Sequence, residues 1–429
     1  MTMMNCDGIS GKLRSEFVQA ELKRLYGNRN GMTAFQTGRY EKLIQRYTEL
    51  FGENGHLKLV SAPGRTEIGG NHTDHNRGRV LAASVNLDTV AAVAPRDDML
   101  VRLMSEGYPE VTVDLADLAV REAEYGTTAS LIRGVAAGML EHGRKIGGFN
   151  AAVTSTVAAG SGLSSSAAFE VMLTGIYDAL FNDGGMPFAE RAVIGKYAEN
   201  VYFGKPSGLL DQMASAAGGL VTVDFGTEPA GIRAMDYDFA AAGYALVVVG
   251  TGGSHADLTE YYASIPAEMK AVAARLGGGD LHDVDEVSFT AHLGTLREEL
   301  GDRPLMRAMH FYDENRRVLA QVAALDAGDM NAFLKEINAS GRSSFMYLQN
   351  VWARPEEQGL SLALCLAERI LGARGAWRVH GGGFAGTTLN FVPADLLDEF
   401  TGTMEKAFGA GCCNVLDIRP QGVYVLDIE

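Results

Sequence analysis

From Ile146 to Phe169 the chain carries no charged residue, and this stretch limits the fold more than any other. It is long enough for a membrane span. Yet it holds five serines, two threonines, an asparagine and four glycines, which suits a loop between two elements and not a lipid-facing helix. The loop proper, Val157-Ala-Ala-Gly160-Ser161-Gly162-Leu163-Ser164-Ser165-Ser166-Ala167-Ala168, leads into a helical pattern over 165–180. Backbone amides freed of side-chain bulk at a helix N-terminus bind anions, and serine hydroxyls add donors and a Mg²⁺ ligand. A serine N-cap on an ordinary helix fits the same residues. A P-loop does not, because GxxxxGK[ST] occurs nowhere in the chain.

At 429 residues, two domains are expected. The formal net charge of −16 gives a surface that repels nucleic-acid phosphates and anionic membranes. No nucleic acid and no membrane is therefore expected as a partner, and any phosphate must be met in a locally built pocket. The four cysteines, Cys6, Cys365, Cys412 and Cys413, include an adjacent pair and form no disulfide framework. A reducing, cytoplasmic setting is expected, and the first residues have no apolar core of a secretory signal.

Residues 10–50 show helical spacing broken at 27–31, so two helices open the chain. Strand patterns follow from Leu57: LKLVSAP, a Gly-rich turn to Gly78, then RVLAASV and DTVAAVAPR, then a hairpin of VRLMSEG and EVTVDL. Helices are expected over 130–142, 165–180, from Pro187 to about Phe203, and after the Lys205-Pro206-Ser207-Gly208 turn. GGLVTVDF and YALVVVG read as a hairpin-like pair. Further helices fall at 256–275, 304–325, 330–349, 357–372 and 394–408, with strands WRVHGGG, TTLNFVP and GVYVLDI. Strands and helices alternate without a strict βαβ period, which predicts an α+β fold. The expected divisions are a helical extension over 1–50, one domain over 51–210 and a second over 211–429.

Two more segments carry chemistry. Ala62-Pro63-Gly64-Arg65-Thr66-Glu67-Ile68-Gly69-Gly70-Asn71-His72-Thr73-Asp74-His75-Asn76 packs short polar side chains on a turn, suited to the hydroxyls of a sugar. A solvated loop is the alternative, and so is a metal site from His72, Asp74 and His75, although ligands spaced so closely seldom converge. His380-Gly-Gly-Gly-Phe-Ala-Gly386 contains GxGxxG, but a strand pattern follows it, so it is no dinucleotide fingerprint. It reads as a tight turn or as a loop whose backbone passes close to a ligand.

In this order the three motifs resemble those of the GHMP small-molecule kinases, and the first resembles the galactokinase signature in Gly64-Arg65 and Gly70-Asn71-His72-Thr73-Asp74. The resemblance extends through Glu199–Asp211, His255–Tyr262 and Arg307–Arg317. It implies a two-domain GHMP kinase fold with ATP and a sugar in the cleft, and phosphate transfer to the C1 hydroxyl of galactose. It further implies Asp211 as the catalytic carboxylate with Arg65 as partner. ATP would be held by Gly160, Ser161, Gly162, Leu163, Ser164, Ser165, Ser166 and Ala167, Mg²⁺ by Ser166 and Glu199, and the sugar by Asn71, His72, Asp74, Gly208 and Tyr262. Two departures stand out. Ala158 replaces a proline ahead of the phosphate loop, and Asn71 replaces a glutamate that receives the sugar's C6 hydroxyl. An amide donates as well as accepts, so a C6-modified sugar such as galacturonate is an alternative acceptor. A non-catalytic sugar sensor on the same fold is another.

Overall fold

The computed structural model describes residues 11–29, 31–53, 56–157, 162–252, 258–384 and 386–426. Gly160 and Ser161 of the phosphate loop, and with them Ala158, His255 and Cys6, lie outside the described residues.

Two helices, α1 (Glu16–Tyr26) and α2 (Met32–Phe51), open the chain as expected. The first sheet contains β1 (Lys58–Gly69), β2 (Arg79–Pro95), β3 (Leu100–Ser105), β4 (Val111–Asp114), β5 (Phe149–Ser155), β6 (Leu220–Asp224), β7 (Gly231–Met235) and β12 (Tyr424–Leu426). Its main path is β12-β1-β2-β5-β3-β4, with β6 pairing β2 and β7. Only β3 and β5 run parallel. The second sheet is β11 (Cys413–Leu416), β8 (Tyr244–Gly250), β10 (Thr387–Pro393) and β9 (Ala376–His380), all antiparallel. This is the expected α+β arrangement.

Strand periodicity explains why both faces of the first sheet are covered. Val60, Ala91, Val93, Ala151 and Val153 pack on α3 (Thr128–Glu141) and α4 (Ser165–Phe181), while Leu59, Val90, Ala92 and Ala152 pack on α1 and α2. The helical extension is thus the second layer of this sheet. In the second sheet, Leu246, Val248, Leu389 and Phe391 face α10 (Asp302–Asp326) and α11 (Met330–Ser343). Val247, Val249 and Val379 face α12 (Gly359–Leu371) and α13 (Leu397–Phe408).

Three expectations change. RVLAASV and DTVAAVAPR are one strand, β2, and β1 continues through the start of the first motif to Gly69. GGLVTVDF and YALVVVG are not a hairpin: the first joins the first sheet as β6, and the second is β8 of the other sheet. A division at 210/211 therefore cuts through the first sheet, because β6, β7 and β12 all hydrogen-bond within it.

Candidate active site

The register of β1 against β2 shifts between Pro63 and Arg65 and again between Glu67 and Gly69. Such bulges bend a strand and re-aim its side chains, and these two bracket Arg65, Thr66 and Glu67. Arg65 Nε donates to Asp211 Oδ1 at 2.6 Å, and its Nη1 donates to the carbonyl of Gly162. The second carboxylate oxygen of Asp211 accepts from Ser164 Oγ at 2.7 Å. Asp211 lies in the first turn of α6 (Leu210–Ala217), where the helix dipole favours an anion. Burial pushes this carboxyl up, but Arg65, the Ser164 hydroxyl and Lys205 outweigh it and hold it down at about 2. Ser164, at φ 59°, immediately precedes α4 in the left-handed region, and its hydroxyl is turned to Asp211 and not to the helix amides. The first turn of α4 thus presents its unshared amides beside Asp211.

A second cluster lies within the same first turn of α4. Ser166 Oγ donates to Glu199 Oε1 at 3.0 Å, and Lys205 Nζ reaches the same oxygen at 2.8 Å. Glu199 belongs to a π-helical turn, Ala198–Tyr202, that ends the helix begun by α5 (Phe188–Tyr197); such turns recur at functional sites. Gln212 Nε2 donates to Glu199 Oε2 at 2.8 Å and to Glu170 Oε2 at 2.9 Å. Burial first, and then the charge of Glu199, push the Glu170 carboxyl well up.

The third motif closes on the other two. His380 Nε2 lies 3.1 Å from Thr66 Oγ1, and its Nδ1 lies 3.0 Å from Thr387 Oγ1. A Cβ on Gly162, whose φ is +73°, would come within 2.4 Å of Thr387 Oγ1. The loop backbone therefore needs glycine there to pack against the turn.

The five sugar-contact candidates divide into three settings. Asp74 and Gly208 meet closely: a Cβ on Gly208 would stand 1.9 Å from Asp74 Oδ2. Gly208→Ala should therefore displace the Asp74 carboxylate and raise the sugar KM by ~10-fold or more with a smaller change in the ATP KM, read from initial rates. His72 and Tyr262 are tied to the glycine turn, His72 Nε2 donating to Gly382 O at 2.9 Å and Tyr262 Oη to Gly383 O at 2.8 Å. Burial pushes the His72 imidazole down to about 3, so it is neutral. Asn71 is fully buried with its amide engaged by the protein. Its Nδ2 donates to Glu67 Oε1 at 2.9 Å and to Gly381 O at 2.7 Å, and its Oδ1 accepts from Asn350 Nδ2 at 3.0 Å. Among the described residues no group of three or more His, Cys, Asp or Glu could hold a metal ion.

Residues outside the three motifs brace the turn of the Gly64–Asn76 segment. Arg378, fully buried on β9, donates to Glu67 Oε1 at 2.5 Å. From α10, His310 Nε2 donates to Asn71 O at 3.0 Å, and Glu314 Oε1 accepts from the amides of Gly70 and Asn71 at 3.3 and 3.4 Å. Polar residues that recur at helical spacing among apolar ones, His310, Glu314 and Gln321 beside Phe311 and Val318 in α10, were the signal that could have found them.

The residues matched by known family models cover two of these regions. The galactokinase galactose-binding signature matches 45–95, and the GHMP kinase N-terminal domain matches 130–219. The galactokinase of Streptomyces coelicolor is 35% identical over 375 residues, covering 85% of this chain and 92% of the relative. That of Enterococcus faecalis is 29% identical over 400 residues, covering 89% and 97%. Among solved structures, Lactococcus lactis galactokinase complexed with galactose superposes with a TM-score of 0.77 at 25% identity, covering 89% of this chain and 98% of that one. A mevalonate kinase shares the fold, with a TM-score of 0.61 at 13% identity, covering 85% and 99%.

Proposed function

The chain belongs to the galactokinase family, and from that premise we propose that it transfers the γ-phosphate of ATP to the C1 hydroxyl of galactose. The observation that carries this reading is the Arg65–Asp211–Ser164 triangle at the N-terminal turns of two helices. Asp211 faces the acceptor as a carboxylate and takes a hydrogen bond from its hydroxyl, aligning the oxygen with the phosphorus. A carboxylate held near pKa 2 is a weak base, so the hydroxyl proton moves late, once the new P–O bond has made it acidic. Arg65 and the amides at the start of α4 offset negative charge on the transferred group.

Glu199 and Ser166 offer one carboxylate and one hydroxyl oxygen, hard donors that fit Mg²⁺, a cation that takes its remaining ligands from phosphate oxygens and water. The metal, when bound, neutralises phosphate charge. Free Cys365, Cys412 and Cys413 support a reducing, cytoplasmic setting.

The test is ADP release across galactose, galacturonate, glucose and mevalonate. Galactose should give the highest kcat/KM. Turnover on galacturonate alone would move the acceptor to a C6 acid, and no turnover on any of them would leave the sensor reading. A pH series adds a second check. With Arg65 present, Asp211 stays ionised and contributes no acid limb until pH approaches about 2. In Arg65→Gln the carboxyl should rise to its ordinary value of ~3.9 or above, so kcat/KM should be lost as pH falls through that higher value. In the wild type, the stability that Asp211 lends is fully present above its unfolded value of ~3.9 and is lost as pH falls from there towards about 2, a loss that Arg65→Gln should abolish.

A further inference from the structure

The helical extension contributes no residue to the triangle or to the Ser166–Glu199 pair, yet one of its side chains reaches the strand that feeds the phosphate loop. We propose that Arg39, on α2, is a positioning residue for that loop, acting through Asp88 and the end of β5. The proposal rests on the reading of 157–167 as the loop that holds the phosphates of ATP.

Arg39 is buried, and its guanidinium reaches Gln36 Oε1 of its own helix at 3.2 Å and three acceptors on the sheet. Nη1 donates to Asp88 Oδ1 at 2.5 Å, while Nη2 donates to the carbonyls of Asp88 and Thr154 at 3.1 and 3.2 Å. One side chain thus joins β2 to the last turn of the β5 ladder. Only a planar fork makes such a set of bonds, and a lysine keeps the charge but not the geometry.

The contact continues through the backbone. Thr156 N donates to Asp88 O at 2.9 Å, Asp88 N donates to Thr156 Oγ1 at 3.0 Å, and Thr156 Oγ1 donates to Asp88 O at 3.2 Å. Three bonds therefore fix the dihedral angles of the residue at the loop's entrance. The next residue, Val157, packs against Gly64, where a Cβ would be 3.1 Å from Val157 Cγ2, and the following amide, that of Arg65, donates to Leu163 O at 3.0 Å. The far side of Asp88 is stationary, since its Oδ2 accepts from Tyr26 Oη at 2.5 Å, Arg419 Nη1 at 3.1 Å and Ser61 Oγ. Docking of the extension does not need this arrangement: Leu22, Leu25, Leu43, Ile44 and Tyr47 already bury an apolar face against the sheet. The polar bonds add a fixed orientation for Thr154–Val157, and a displacement of about 1 Å in a loop that orients a reacting group is enough to cost ~10²-fold in rate.

The experiment compares Arg39→Lys, Thr156→Val and Thr156→Ser with the wild type, measuring the KM for ATP, the KM for galactose, kcat and Tm. Thr156 is partly buried, and Thr156→Val keeps its size and branching, so it tests the loop even if Arg39→Lys does not fold. Arg39→Lys and Thr156→Val should raise the ATP KM by ~5- to 10-fold while the galactose KM stays within ~2-fold, and Thr156→Ser should restore the wild-type ATP KM. A lower Tm with kcat falling and both KM values unchanged would make the role merely structural and overturn the proposal. Ser166→Ala is the control for the underlying reading: if it too leaves the ATP KM unchanged, the loop does not hold ATP and both inferences fall.

Discussion

Asp211→Asn should lower kcat on galactose by ~10²-fold or more while ATP affinity, measured by calorimetry, changes little. The substitution is isosteric and keeps an oxygen for Ser164 or Arg65, so the local packing survives. What it removes is the charge that aligns the acceptor hydroxyl and finally accepts its proton. Arg65, whose side chain is 8% exposed, would then lose its charged partner and keep the Gly162 carbonyl with, at most, a neutral amide oxygen. Because one ion pair links the two residues, Asp211→Asn combined with Arg65→Gln should cost little more than the worse single change. Near-normal turnover in Asp211→Asn, or strict additivity in the double variant, would take this pair out of the reaction.

Asn71→Glu should cost roughly 2–5 kcal/mol of stability at neutral pH, read from urea unfolding. The Nδ2 that now donates to Glu67 and to Gly381 O would become an acceptor, facing a carboxylate 2.9 Å away and a carbonyl 2.7 Å away. Arg378 cannot neutralise two carboxylates. Burial already raises the Glu67 carboxyl despite Arg378 and the Asn71 amide. With a second anion beside it, one of the pair should hold a proton well above the ordinary carboxylate range. A raised folded-state pKa favours folding below the unfolded value and costs stability as pH rises through the folded one, so the deficit of the variant should grow from pH 5 to pH 8. An unchanged stability together with improved galactose use would return Asn71 to the sugar's C6 hydroxyl and remove it from the scaffold.

This second case marks where the sequence was legible and where it was not. Arg65, Asp211, Ser166 and Glu199 entered through the resemblance of short segments to a family, and the fold brings Arg65 to Asp211 and Ser166 to Glu199 across 146 and 33 residues. The α+β class follows from strand and helix periods. Asn71 stands inside such a motif, and a position in a motif does not tell on which side of the turn the side chain points. Its partners Asn350, Gly381 and His310 lie hundreds of residues away, and no spacing rule links them. The false hairpin of GGLVTVDF and YALVVVG has a related cause: both are good strand patterns, but pairing depends on which sheet each meets. The helices between Glu286 and Leu300 were missed because they are short and have too few turns to show a period.

The strand β12 pairs with β1, and Arg419 reaches Asp88. Residues near 60 and near 425 are thus neighbours in one sheet, with the whole second sheet inserted between them. On a ribosome, the first four hundred residues would emerge with one edge of their sheet bare and the Asp88 carboxylate short of one of its two cations. Domains that fold as they are made do so from the N-terminal side, but here β1, the first strand among the described residues, gains its outer neighbour only from β12, the last of them. Synthesis order and folding order are therefore opposed, and until residues 419–426 arrive the nascent protein is an open β-edge for a chaperone to shield.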